Sequence, residues 1–207
     1  MDTGTIGITK MMYLSEAKKR LEELQTINPA NVAPCREDEV LALERRVGRS
    51  LPGAYKEFLL WMGHGSTGVF RGTDCFYYDL PAIGPGAIEL LQEDAFPEPL
   101  PEDAFVFLMH QGYQFAFFRL SEGEDPPVSY YYEGPKGGWL FPVTAHFSEY
   151  LLIEIESYAK LIGAAYNPQR ANHLDVLLRQ QRKAAGYPAP DGPIIGRLTH
   201  PAPESNP

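Results

Sequence analysis

The segment from Gly63 to Gly68 comes closest to a known chemical motif. It reads Gly-His-Gly-Ser-Thr-Gly and so matches the G-x-G-x-x-G pattern of dinucleotide-binding loops. Such a loop must follow a strand and open a helix, because the helix amides then face the pyrophosphate. Here an apolar pattern with helical spacing, Tyr55 to Met62, precedes the loop, and the residues after it favour an extended chain. The pattern therefore predicts a turn that ends a helix, not a nucleotide site.

Two nucleophile arrangements are conceivable from the residue types. Ser66 does not lie in a nucleophile elbow, because G-x-S-x-G requires glycine at the position that His64 occupies. Cys75 pairs in principle with His64 or His110, but it lies in an aromatic segment with strand character, where a buried and inert thiol is far more common. The sequence therefore predicts no catalytic residue and no enzyme.

The histidines and cysteines have no metal-site spacing. The histidines are His64, His110, His146, His173 and His200. None lies four residues from another, and the two cysteines, Cys35 and Cys75, do not form a zinc-type pair. We expect neither a metal nor a cofactor, although spacing does not exclude a site assembled from distant segments.

Neighbouring carboxylates occur in three places along the chain. They are Glu93-Asp94, Glu102-Asp103 and the group Glu122, Glu124 and Asp125. Each lies in a loop or at a helix end, where solvated charge is the ordinary state, and no spacing identifies a glycosidase pair.

Two aromatic runs, residues 76–78 and 130–132, are the best candidates for a binding surface. Side chains alternate along a strand, so Tyr131 must point away from the face that carries Tyr130 and Tyr132. Exposed tyrosines are good interface anchors, because they are large, stiff and able to form hydrogen bonds. The alternative, that these rings pack under helices, is equally open.

Apolar residues recur with helical spacing in several segments. The predicted helices are Met12 to Gln25, Arg36 to Val47, Leu51 to Met62, Ile83 to Ala95, Phe147 to Ile162 and Asn172 to Ala184. Acidic residues open the second helix, arginines close it and Gly48 follows, as the helix dipole and left-handed C-cap favour.

Aromatic and β-branched runs predict strands over four segments. These are Cys75 to Tyr78, Phe105 to Met109, Tyr113 to Leu120 and Val128 to Tyr132. The link at residues 110–112 is short enough for an antiparallel hairpin. We expect an α+β fold with a mainly antiparallel central sheet, an N-terminal helical hairpin and a long C-terminal helix packed against it. The middle strands are apolar on both faces, so we expect internal cover on both, the alternative being one face kept for a partner.

The chain is acidic, with a net charge of −9 over 207 residues. This charge disfavours nucleic acids and anionic membranes and favours a basic protein partner. The first residues do not read as a secretory signal, no apolar stretch is long enough to span a membrane, and two cysteines suit a reducing compartment. We therefore expect a cytoplasmic protein, with a Pro-rich tail over residues 186–207.

Three consecutive segments form a recognisable series: an acidic helix from Glu37 to Gly48, a Leu-Pro-Gly-Ala-Tyr-Lys-Glu-Phe-Leu-Leu-Trp run at 51–61 and a glycine turn at 63–65. This series resembles the opening of the SUKH superfamily, which includes the fungal Smi/Knr cell-wall-assembly regulators and many bacterial relatives. Strand segments and Phe147-Ser148-Glu149-Tyr150-Leu151 follow in the expected order. His146 stands where the family tends to have a serine that caps the last helix, so Thr144 is expected to take that role.

The resemblance implies a domain over residues 32–165, preceded by a helical arm at 1–31 and followed by a helical extension and tail at 166–207. It further implies a non-enzymatic protein-binding domain, similar to immunity proteins that neutralise secreted toxins, often nucleases. The alternative is a regulatory scaffold that binds endogenous partners through its C-terminal extension.

Partner-binding residues are expected where strand ends and loops present adaptable side chains on a rigid sheet. The predicted residues are Tyr78, Asp79, Glu122, Glu124, Asp125, Tyr131 and Glu133.

Overall fold

A computed structural model describes residues 12–28, 31–134 and 137–187. Of the predicted Pro-rich tail, residues 188–207, which include His200, lie outside the described residues. Of the predicted helical arm at 1–31, residues 1–11, 29 and 30 lie outside them. The helices are α1 (Ser15–Gln25), α2 (Glu37–Val47), α3 (Gly53–Met62), α4 (Leu80–Glu93), α5 (Phe147–Leu161), α6 (Pro168–Ala171) and α7 (His173–Ala184). The strands are β1 (Val32–Ala33), β2 (Gly65–Ser66), β3 (Thr73–Asp74), β4 (Ala104–His110), β5 (Gln114–Arg119), β6 (Val128–Tyr132) and β7 (Trp139–Thr144).

The sheet has the order β3-β4-β5-β6-β7, and every neighbouring pair is antiparallel. The predicted β4–β5 hairpin is confirmed, with Gln111 and Gly112 at φ angles of 49° and 81° in its turn. A β-bulge between Val106 and Leu108 shifts the register of β4 against β5. Helices and antiparallel strands together confirm the α+β class.

Both faces of the sheet are covered internally, as expected. On one face, Tyr55 of α3 lies with its ring centroid 5.2 Å from those of Phe105 and Phe118. Phe147 and Tyr150 of α5 pack on Phe107 from the same side. On the other face, α4 contacts β4. The apolar strands are therefore the middle layer of a helix–sheet–helix arrangement.

The predicted strand over Cys75 to Tyr78 is wrong. The strand β3 ends at Asp74, and residues 77–79 form a turn that leads into α4. The cause is Asp79, whose Oδ2 accepts hydrogen bonds from the backbone N–H groups of Cys75 and Phe76 at 3.2 and 3.0 Å. Side-chain acceptors of this kind offer the backbone an alternative to a sheet ladder.

Strand β7 was not predicted, because Pro142 interrupts its apolar pattern. It occupies the edge of the sheet, where a missing amide donor is tolerated. The short pair β1–β2, Val32 to Ser66 and Ala33 to Gly65, was also missed and joins the segment before α2 to the turn after α3.

The helices outside the resembling segment pack on the same core. Helix α1 contacts α5 and buries Leu21 and Leu24, while α7 contacts β7 and buries Leu178. Within the described ranges, no helix has the length and apolar character needed to cross a membrane.

Candidate functional site

Residues 121–125, the acidic loop, join β5 to β6 and hold the first turns of two helices. Glu124 accepts a hydrogen bond at 2.8 Å from the N–H of Gly53 at the start of α3, through Oε2. Asp125 accepts from the N–H and the hydroxyl of Ser148 at the start of α5, at 2.9 and 2.6 Å. Carboxylates at these positions satisfy free amide donors and favour the helix dipole.

The cap of α5 therefore differs from the one expected. Thr144 donates its hydroxyl hydrogen to the carbonyl of His146 and makes no bond to an α5 amide. Asp125 supplies the acceptor instead, because the β5–β6 connection brings the acidic loop against the helix end.

Glu122, the third acidic residue of the loop, bonds to neither helix start. Glu122 is exposed, and its N–H donates to the carbonyl of Arg119 at 3.2 Å. Tyr13 lies beside the loop: burial first, then the charges of Glu124 and Asp125, raise the pKa of its phenol. The loop is therefore a source of negative potential with a backbone that two helix ends fix in place.

Tyr78 is the most exposed large apolar side chain among the described residues, at 75%. Its ring centroid lies 4.9 Å from that of His64, and Tyr77 meets it edge-on at 5.8 Å. The neighbouring Asp79 serves the turn before α4. Tyr78 thus offers an aromatic face on a supported turn.

The last two predicted residues lie elsewhere. Tyr131 is fully buried, stacks on Phe115 at 5.0 Å between centroids and donates its hydroxyl hydrogen to Asp94. Glu133 is exposed just beyond the C-terminal end of β6, whereas the acidic loop precedes that strand. The seven predicted residues therefore do not form one continuous surface.

The distant-segment cluster that spacing did not exclude is Cys35, Glu39 and His64. One donor atom from each lies within 4.8 Å of the others. Glu39 Oε2 already accepts from the N–H of Arg36 at 2.8 Å and lies 2.9 Å from His64 Nε2. These contacts, the backbone one first, lower the pKa of Glu39, while burial raises the pKa of the Cys35 thiol to about 11.

The donor types of this cluster suit zinc, but its present bonds serve the fold. Glu39 caps α2, and its contact with His64 joins α2 to the turn after α3. The Cys35 thiol is protonated near neutral pH. The sequence signal that points to it is Cys35 four residues before Glu39, at the start of a helix. His64 could not be added from sequence, because the β1–β2 pairing brings it there.

The structure places the candidate nucleophile Cys75 in the core. Cys75 is buried, and desolvation raises the pKa of its thiol well above the ordinary value. His110, one of its suggested partners, is 2.9 Å from the Thr73 hydroxyl through Nδ1.

Comparison with known proteins places these elements in a family. The model of the SMI1 / KNR4 family (SUKH-1) matches residues 34–153, which run from the segment before α2 into the middle of α5. No curated protein matches the chain. The family match covers more than half of the 207 residues and includes α2, α3, the acidic loop and the whole sheet. The chain belongs to the SMI1 / KNR4 family (SUKH-1).

Proposed function

We propose that this chain is a non-enzymatic immunity protein that binds and neutralises a basic toxin domain, such as a nuclease, of a bacterial polymorphic toxin system. Membership of the SUKH family supports a protein-binding role. The net charge of −9 supports a basic partner, because an acidic field speeds the encounter with one and repels nucleic acids.

The observation that carries this proposal is the acidic loop. Its backbone is held by the starts of α3 and α5 through Glu124 and Asp125, while Glu122 remains exposed. A loop fixed before binding loses little conformational entropy when a partner docks, so more of its contact energy appears as affinity. Tyr78 adds an exposed aromatic anchor on a separate turn.

The test measures binding of this chain to purified toxin domains encoded beside its gene, by surface plasmon resonance at low and high salt. We expect one basic domain to bind with 1:1 stoichiometry and to lose its activity. The association rate should fall as salt rises, since screening weakens steering by the acidic loop.

Matched variants assign the effect to the proposed residues. Glu122→Lys should slow association several-fold. Glu89→Lys makes the same charge change at an exposed position of α4 and should change the association rate little. Tyr78→Ala should speed dissociation about tenfold, as loss of an aromatic anchor does, while Tyr166→Ala should not. Absence of any toxin partner would contradict the proposal. Several weaker endogenous partners that require the residues after Asn167 would instead support the regulatory scaffold.

A further inference from the structure

A cavity of about 530 Å³ lies between the sheet and α5. We call it the α5 cavity. Its walls come from the loop at 68–73, from β4, β5 and β6, from one side of α5 and from residues around the start of α7. Its volume falls within the range of ~300–1,000 Å³ that is usual for small-molecule sites.

Two buried side chains present polar atoms in this cavity, and one of these atoms is unpaired. Gln114 is 0% exposed; its Oε1 accepts a hydrogen bond from the Tyr130 hydroxyl at 2.6 Å, and its Nε2 has no partner. Tyr150 is 1% exposed, and its hydroxyl lies near the Glu154 carboxyl in the same cavity. A buried donor without a partner is unfavourable. The free Nε2 of Gln114 therefore indicates a cavity that a bound molecule completes.

The third polar group is the carboxyl of Glu154, on the next turn of α5. No basic side chain forms an ion pair with it in the described parts of the chain. Burial raises its pKa to about 7, and the nearby Tyr150 hydroxyl offsets part of this effect. A carboxyl in such a place lacks the cation that ordinarily accompanies buried negative charge.

The charged groups around Glu154 do not supply that cation. Lys160 donates to Asn172 at 2.7 Å, and Asp175 accepts from Arg179 at 2.8 Å. Arg71 is exposed at the rim. His110 faces the cavity from β4, and burial lowers its pKa from 6.5, which favours the neutral ring.

The remaining walls suit an organic cation. Four aromatic rings line the cavity, from Phe70, Tyr130, Tyr150 and Tyr158. The faces of such rings attract ammonium, amidinium and guanidinium groups. A carboxylate ligand would instead meet two acidic side chains, Glu154 and Asp175. The free donor of Gln114 then meets the neutral part of the same ligand, either an acceptor atom or the face of a ring.

We propose that the α5 cavity binds a small organic cation, an ammonium or amidinium compound, with Glu154 as its counter-ion and Gln114 as a donor to its neutral part. This inference does not rest on toxin binding. The acidic loop and Tyr78 lie outside the set of residues that line the cavity.

The test compares three probes of nearly equal shape: benzamidine, benzamide and benzoate. Binding to the full chain is measured by calorimetry at pH 8 and by NMR of the Gln114 side-chain amide. We expect benzamidine to bind and to shift the Gln114 amide signals, benzamide to bind at least tenfold more weakly, and benzoate not to bind. Glu154→Gln should weaken benzamidine at least tenfold, whereas the exposed Glu89→Gln should leave its affinity unchanged.

The pH dependence in the unaltered chain tests the proposal even where a variant fails to fold. A ligand that requires ionised Glu154 should bind about tenfold more weakly at pH 6 than at pH 8, because the pKa of this carboxyl is about 7. Protonation of His110 acts in the same direction, so Glu154→Gln should remove most of the dependence. The proposal would be overturned if benzamidine and benzamide bound equally, if the affinity for benzamidine did not change with pH, or if no probe bound.

Discussion

Three carboxyls on α3 and α5 differ in the partners that face them. Glu57 accepts hydrogen bonds from the Lys18 ammonium group at 2.7 Å and from the N–H of Tyr13 at 2.8 Å. Glu156 accepts hydrogen bonds from the Arg20 guanidinium group at 2.9 Å and from the N–H of Asn167 at 2.8 Å. Both join helices that are distant in sequence. Glu154 has no cationic partner among the described residues, and desolvation raises its pKa to about 7.

At this residue scale we predict that Glu154→Gln makes stability less dependent on pH. The folded-state pKa of Glu154, about 7, exceeds the ordinary 4.5, so the folded state holds its proton more tightly than the unfolded state. Its contribution to stability is therefore fully present below pH 4.5 and is lost as pH rises towards 7. One pKa unit corresponds to about 1.4 kcal/mol, so the loss amounts to up to about 3 kcal/mol.

Urea unfolding between pH 4 and pH 8 measures this effect. The variant should gain stability relative to the unaltered chain as pH rises, with the difference levelling off above pH 7. Taking the difference between the two proteins cancels the other titrating groups. A difference that is constant across this range would show that Glu154 titrates normally.

At the scale of elements, local signals predicted what depends on local chemistry. The acidic start and Gly48 end of α2, the Pro52 entry to α3 and the β4–β5 turn all read correctly from sequence. The extent of β3 was not predicted correctly, because the Asp79 side chain accepts hydrogen bonds from two backbone N–H groups and the chain turns there. The cluster around His64 and the α5 cavity depend on strand pairing and helix packing, which no spacing encodes.

The candidate surface residues show the same division. Alternation in β6 correctly separated Tyr131 from Tyr130, since Tyr131 contacts Phe96 and Phe115 while Tyr130 bonds to Gln114. It did not reveal that α4 and α5 cover both faces. Two of the acidic side chains chosen for a partner serve helix ends, because carboxylates are as useful to amide donors as to an interface.

We predict that Gly68→Ala destabilises the chain by about 1–3 kcal/mol, the usual cost of overpacking. A Cβ on Gly68 would lie 2.5 Å from the ring of Tyr158, which is buried on α5 and bonded to Asn28. The matched control is Gly84→Ala on α4, where a Cβ meets nothing within 4 Å. This control should change stability little, because the helix preference of alanine is offset by contact of its Cβ with the ring of Pro85, the next residue. Thermal unfolding of both variants distinguishes them, and equal shifts would show that the loop at 68–73 yields to the added methyl group.

Helices that precede and follow the segment matched by the family pack against that segment. The matched segment ends inside α5, yet α1 packs on that helix and α7 packs on β7. Arg170 reaches from α6 to Glu16 on α1 at 2.8 Å, and His173 Nε2 lies 2.8 Å from the carbonyl of Val143 on β7. The two additions thus contact each other, while α1 also packs on α5 and α7 also packs on β7 and lines the α5 cavity.

We therefore predict that the C-terminal helices unfold together with the sheet. Leu178 on α7 is fully buried, and Leu178→Ala should lower the free energy of unfolding by about 2–5 kcal/mol, as removal of a core leucine does. Val176 on the same helix is 46% exposed, so Val176→Ala should change it by less than about 0.5 kcal/mol. Circular dichroism follows all helices, and fluorescence follows Trp139, which contacts Tyr187 beyond α7, and Trp61 on α3. If α7 belongs to the common core, Leu178→Ala moves both signals to one lower midpoint. An extension that folds separately from residues 32–165 would instead leave the Trp61 transition in place and split the two curves.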